Sequence, residues 1–245
     1  MPPMNSKRFL PSLLAFLLFG VGLFAGLVWW GSSAWADLEA SLFDPAIAAD
    51  VVLNDLRCPQ YITPQEISSV SIRLQNPTER ILRQTARVHI SYGFVTLMRE
   101  ENIIVEMQPR ESRQLEWLVT ADDAAWGRIV LVRLHLSRSF PLPARTATCG
   151  IMLVNLPYLN GSHISLVLAV ITLTGTLAGW RLYTKIHQPL INRPRNVAVL
   201  MLAWIIVLVA GNMLAYFGFW LPAGVLFLLS LIFLVISAAF LIYPL

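Results

Sequence analysis

Residues 196–245, NVAVLMLAWIIVLVAGNMLAYFGFWLPAGVLFLLSLIFLVISAAFLIYPL, run for fifty positions without a charged side chain. A helix needs about 20 residues to cross a hydrocarbon core of about 30 Å, so this stretch is long enough for two crossings joined by a turn. The cluster Tyr216-Phe217-Gly218-Phe219-Trp220-Leu221-Pro222 supplies the turn. Glycine and proline interrupt a helix, and Tyr216 and Trp220 suit the polar boundary of a bilayer. The pattern predicts helices over about 197–217 and 223–243 within a hairpin segment 197–245.

Immediately upstream lies a basic loop, 185–196, where Lys185, Arg193 and Arg195 follow Arg181 without an acidic residue among them. It closes a second apolar segment, 161–184, whose Trp180 and Tyr183 fall where interfacial anchors belong. A first apolar run, 9–30, is preceded by Lys7-Arg8 and ends on a further aromatic pair, Trp29-Trp30. Basic residues flanking cytoplasmic ends set orientation. Four crossings therefore place both termini and 185–196 in the cytoplasm, with 37–160 outside the cytoplasmic (inner) membrane. The alternative for segment 1–36 is a cleaved signal peptide, because Ala34-Trp35-Ala36 has the small-x-small form of a cleavage site. The apolar run exceeds the usual 7–15 residues of a signal core, which favours a retained anchor. Either outcome exports segment 37–160.

Charge is segregated in the same way. All fourteen acidic residues lie between Asp37 and Asp123, and segment 37–160 carries twelve arginines against them, net −2. The rest carries +6, all of it flanking apolar runs. The basic pI of 9.4 thus reflects membrane topology, and nucleic acid is not an expected partner.

Segment 37–160 reads in period two. Apolar and polar residues alternate over 68–75, ending at Asn76-Pro77, and again over 87–92, 104–107, 114–119, 130–136 and 146–154, with a weaker candidate at 50–53. Half-buried strands produce this alternation, and about seven of them at such spacing predict two packed sheets. The pattern, with Asn76-Pro77-Thr78 between two strands, resembles the Ig-like and CARDB-like β-sandwich modules of exported bacterial proteins. The resemblance covers about half the chain and implies a binding or spacing role. The expected fold is a mixed membrane protein, with an all-β antiparallel Ig-like sandwich ectodomain on four transmembrane α-helices. Trp117 and Trp126 are candidates for its core. Cys58 and Cys149, near the two ends of the exported segment, are expected to form one disulfide.

Catalytic and metal chemistry find little support. His89, His135, His163 and His187 are scattered, with His89 and His135 at the polar phase of strands, where surface histidines sit. Glu100-Glu101 and Asp122-Asp123 read as solvated charges in turns. No nucleophile, phosphate-loop or zinc-protease motif occurs, and the spans contain no ionisable interior residue, so no enzyme activity and no cofactor is expected. The spans do carry small-residue stripes: Gly22 and Gly26 in the first, and Ala169, Thr172, Gly175, Thr176 and Gly179 in the second. Such stripes, with Asn212 as the most polar intramembrane residue, suit helix packing.

These patterns together suggest a non-catalytic membrane protein whose exported domain binds or scaffolds partners. Membrane lipid and other membrane or envelope subunits are the expected partners, with an accessory or assembly role. An extracytoplasmic ligand sensor, or a subunit contributing helices to a transport, redox or pigment complex, are the alternatives.

Overall fold

The computed structural model describes residues 6–49, 51–53, 55–156 and 158–242, without the side chains of residues 6–8 and 240–242. Expectations for Asp50, for 243–245 and for the side chains of Lys7 and Arg8 fall outside that set. The chain divides into two compact units, Met1–Ser32 with Ser165–Leu245, and Ser33–Ile164.

The first unit is helical. Helices α1 (Ser6–Leu42), α2 (Gly161–Ile186), α3 (Arg193–Tyr216) and α4 (Trp220–Ile242) are each long and apolar enough to cross a membrane. Lipid offers backbone groups no hydrogen-bond partner, so an apolar chain of this length satisfies them internally as helix. The break between α3 and α4 is narrower than 216–222. It spans 217–219, and Pro222 lies inside the first turn of α4, where a missing N–H costs nothing.

Small residues set the closest helix contacts. A Cβ built on Gly22 would lie 2.6 Å from the backbone nitrogen of Thr176, and one on Gly175 would lie 2.9 Å from Cα of Gly22. The glycine stripes of α1 and α2 therefore face each other, and only the absence of side chains lets the backbones approach this far. Trp30, expected to face the bilayer boundary, is packed among helices instead of exposed. It is fully buried, its ring seated on Gly211 of α3 and edge-on to Phe227 of α4 at 5.3 Å. Tyr183 is also interior, between Phe16 and His187, because α1 and the end of α2 close around it.

Among the described residues the second unit holds ten strands: β1 (Val51–Val52), β2 (Leu56–Arg57), β3 (Tyr61–Ile62), β4 (Ser68–Gln75), β5 (Leu82–Tyr92), β6 (Phe94–Met107), β7 (Ser112–Val119), β8 (Ala124–Ala125), β9 (Ile129–Leu136) and β10 (Arg145–Leu153). The larger sheet runs β1-β10-β9-β5-β6, with β3 on β10 and β8 on β9, and the smaller runs β2-β4-β7. All the long ladders are antiparallel. The two-residue strands β1 and β3 pair parallel with β10, which departs from a purely antiparallel expectation. Between the sheets lies one apolar core, containing Val70, Ile72 and Trp117 from the smaller sheet and Val88, Ile90, Val132 and Ile151 from the larger. Trp117 occupies the core and Trp126 is exposed. The disulfide Cys58–Cys149 joins the end of β2 to β10, and so stitches the two sheets together.

The larger sheet is covered on its other face too. α1 continues past Trp30 to Leu42, and Ala36, Ala40 and Phe43 pack on Ile129 and Leu131 of β9. A helix ending at residue 30 is thus corrected. The apolar residues at i, i+4 and i+7 give the last turns an amphipathic face, which the sheet buries. At Gly150 of β10 the backbone of the helix comes so close that the strand has no room for a side chain, and Asp37 accepts a hydrogen bond from the Gly150 N–H at 3.1 Å.

Candidate functional site

Two features of the β unit stand out from its packing: a covered row of charges and the uncovered edge beside it. The row crosses three strands, because Arg133 of β9 lies opposite His89 of β5, which in turn lies opposite Glu100 of β6. Their side chains share the face that α1 covers. Asp44, just beyond the helix in a left-handed conformation (φ 42°), brings its Oδ2 within 2.5 Å of His89 Nδ1. On the far side of the ring, Nε2 is 3.6 Å from Glu100 Oε2, within ion-pair reach but beyond a hydrogen bond. Arg133 donates from Nη2 to the Ser41 carbonyl at 2.8 Å, so it also caps the end of α1.

His89 is therefore buried, against the expectation of a surface histidine. It does occupy the polar phase of its strand, but the helix extension roofs that face. Glu100-Glu101 lie inside β6, not in a turn, and Asp123 is buried at a short 3₁₀ turn, accepting the Thr120 N–H at 2.8 Å. Glu100 is held below the ordinary carboxylate value by the Asn102 amide, which donates at 2.8 Å, and by the charges of Arg87 and His89. Burial lowers the pKa of Arg133, with Asp44 opposing. Among the described residues the side-chain partners of His89 are the carboxylates of Asp44 and Glu100, with no hydroxyl or thiol nucleophile in the manner of a catalytic dyad. Among the described residues no group of three or more His, Cys, Asp or Glu is placed to hold a metal ion.

The open feature is β6, at the end of the larger sheet. Among the described residues this fourteen-residue strand pairs with β5 alone, at Phe94 and again over 98–107 with a register shift between, leaving one side of its backbone unladdered. Arg99, Glu100 and Glu101 interrupt its middle, a common way to discourage indiscriminate pairing. Nearer the hairpin the chain from 91 to 98 carries no charge, and Tyr92, Phe94, Leu97 and Met98 are exposed. Trp126, also exposed, is tied to this tip through its N–H to the Gly93 carbonyl at 2.8 Å. The result is an aromatic and aliphatic patch at the end of a free strand edge. Periodicity in 104–107 reveals only the last four residues of β6.

The predicted packing residues fall in the helical unit. Asn212 donates to the carbonyls of Leu208 at 2.9 Å and Gly26 at 3.4 Å, and Thr176 donates to the Thr172 carbonyl at 2.7 Å. Gly26 abuts Thr172, Gly179 abuts Phe19, and Ala169 is half-buried. Trp180 donates to the Ala198 carbonyl at 3.1 Å, Tyr216 is exposed, and Trp29 and Trp220 are half-buried. Arg181, Lys185, Arg193 and Arg195 are exposed.

No protein-family model matches the chain, and no curated protein matches it significantly. Among solved structures it is similar to the CARDB domain of the PF1109 protein from Pyrococcus furiosus, crystallised in complex with di-metal ions. That likeness covers 41% of this chain and 90% of the other, at 13% identity and a TM-score of 0.34. It is also similar to red sea bream transglutaminase over 44% of this chain and 17% of that one, at 12% identity and a TM-score of 0.35. The chain thus spans under a fifth of the transglutaminase. At these scores neither likeness assigns an activity or a ligand.

Proposed function

We propose that this chain is a non-catalytic membrane subunit that recruits a partner protein through the free edge and apolar tip of β6. The observation that carries the proposal is the fourteen-residue edge strand with Phe94, Leu97 and Met98 exposed beside it. An added strand gains affinity from main-chain hydrogen bonds and specificity from its side-chain contacts, and β6 offers an unladdered edge with exposed apolar side chains beside it. The β unit is an Ig-like sandwich displayed outside the cytoplasmic membrane, with both termini and 185–196 in the cytoplasm. Supporting that orientation are the basic residues beside α2 and α3, and the disulfide, which suits an oxidising compartment. An accessory or assembly role in an envelope complex fits a domain whose buried His89 faces the carboxylates of Asp44 and Glu100 and not a nucleophile.

A photo-crosslinking residue at Leu97 of the full chain, irradiated in native membranes, tests the reading. It should give an adduct with a protein of one discrete mass, while the same residue at Arg73, on the central strand of the smaller sheet, should give none. Lipid adducts alone, together with a chain that leaves mild detergent without a companion, would defeat the proposal.

A further inference from the structure

The helical unit, Met1–Ser32 with Ser165–Leu245, contains six lysines and arginines and no aspartate or glutamate. Cations at the edges of such a bundle find no side-chain carboxylate within their own unit. Beside a bilayer the abundant source of counter-charge is the phosphate of anionic lipid.

Arg195 stands where such a lipid has somewhere to lie. α3 and α4 leave between them an open cavity of about 620 Å³, walled by Val199, Leu200, Ala203, Phe233 and Ile236, with Arg195 and Asn196 in the first turn of α3. The remaining lining residue, Ser237, is already engaged: it accepts from Trp204 Nε1 at 3.2 Å and donates to the Phe233 carbonyl at 2.6 Å. The wall is therefore apolar in effect, and the polar groups offered to a ligand gather at one end. A second cavity of about 210 Å³ shares Leu200 and Ser237 and extends between α1, α3 and α4 past Phe19 and Leu23.

We propose that this groove binds an anionic phospholipid, with its phosphate on the Arg195 guanidinium and the Asn196 amide and one acyl chain along Val199, Leu200, Ala203 and Phe233. Free phosphate would leave the apolar wall uncovered, and a zwitterionic lipid offers Arg195 no net counter-charge. The proposal requires the helices to lie in a bilayer and is independent of the β6 reading.

Native mass spectrometry of the full chain in mild detergent, titrated with phosphatidylglycerol or phosphatidylcholine, tests it. Phosphatidylglycerol should be retained preferentially. Arg195→Gln should lower its retention about five-fold, the worth of one basic side chain at an anionic surface. Ala203→Trp, which fills the groove, should lower it as well, and Arg181→Gln should leave it unchanged. Equal retention of the two lipids by the wild-type chain overturns the proposal, as does an unaltered Arg195→Gln. Displacement of phosphatidylglycerol by millimolar inorganic phosphate would mean that the anion alone is recognised, and would overturn the acyl-chain seat.

Discussion

A Cβ placed on Gly150 would lie 2.0 Å from the carbonyl oxygen of Ala36. No rotamer relieves that collision, because both partners are backbone, so α1 and β10 must separate if residue 150 acquires a side chain. Gly150→Ala should destabilise the β unit by about 1–3 kcal/mol or more. Gly224→Ala, where nothing lies within 4 Å, should be neutral or slightly stabilising. Thermal unfolding of the full chain in detergent, followed by tryptophan fluorescence, checks the contrast, and equal midpoints would refute it.

The His89 site makes a prediction of its own. Replacing His89 with alanine leaves the Asp44 carboxylate without its 2.5 Å partner and opens space under α1. A loss of about 1–3 kcal/mol is expected, the usual penalty for stranding a buried polar group. The same unfolding assay measures it, and an unchanged midpoint would count against a buried pair.

Acid should weaken Glu100 in a definite direction. Its folded pKa lies below the ordinary 4.5, so its contribution is present above that value and fades as pH falls through the folded pKa. Wild type should therefore melt higher than Glu100→Gln at neutral pH, and the two curves should converge in acid. A gap that stays constant with pH would show that the charge contributes nothing.

The disulfide spans 91 positions in sequence. Closing a loop of that size restricts the unfolded chain by about 4–5 kcal/mol in the entropic description. Dithiothreitol, or Cys58→Ser with Cys149→Ser, should lower the melting temperature of the β unit markedly. Insensitivity to both would require another account of what holds the sheets together.

In the helical unit, Gly20 and Gly22 sit two residues apart on α1 with opposite fates. Gly22 meets the backbone of α2, and Gly20 has nothing within 4 Å. Gly22→Val should cause loss of monodisperse elution on heating in detergent, whereas Gly20→Val should behave as wild type. The reverse order would place the α1–α2 contact elsewhere.

What can be read from the chain divides along physical lines. The four apolar helices and the long strands announce themselves, because lipid exposure and one-sided burial leave strong periodicities. β6 does not, since Arg99-Glu100-Glu101-Asn102 has the composition of a turn, and only an edge strand open to solvent tolerates such a run. The burial of His89 is hidden for another reason: its own strand gives the correct face but says nothing about what lies above it. The signal for that cover sits in Ala36, Ala40 and Phe43, spaced i, i+4, i+7 beyond an aromatic pair that looks like a stop. The positions of Trp30 and Tyr183 depend on which helices meet, which no local pattern encodes.

β9 lies between β10 and β5 with apolar side chains packed on both of its faces. Solvent reaches its ladder amides only when the sheets, the helix roof and the neighbouring strands have parted together. Hydrogen exchange at these amides should therefore be the slowest in the β unit, and its rate would report the free energy of opening the whole unit.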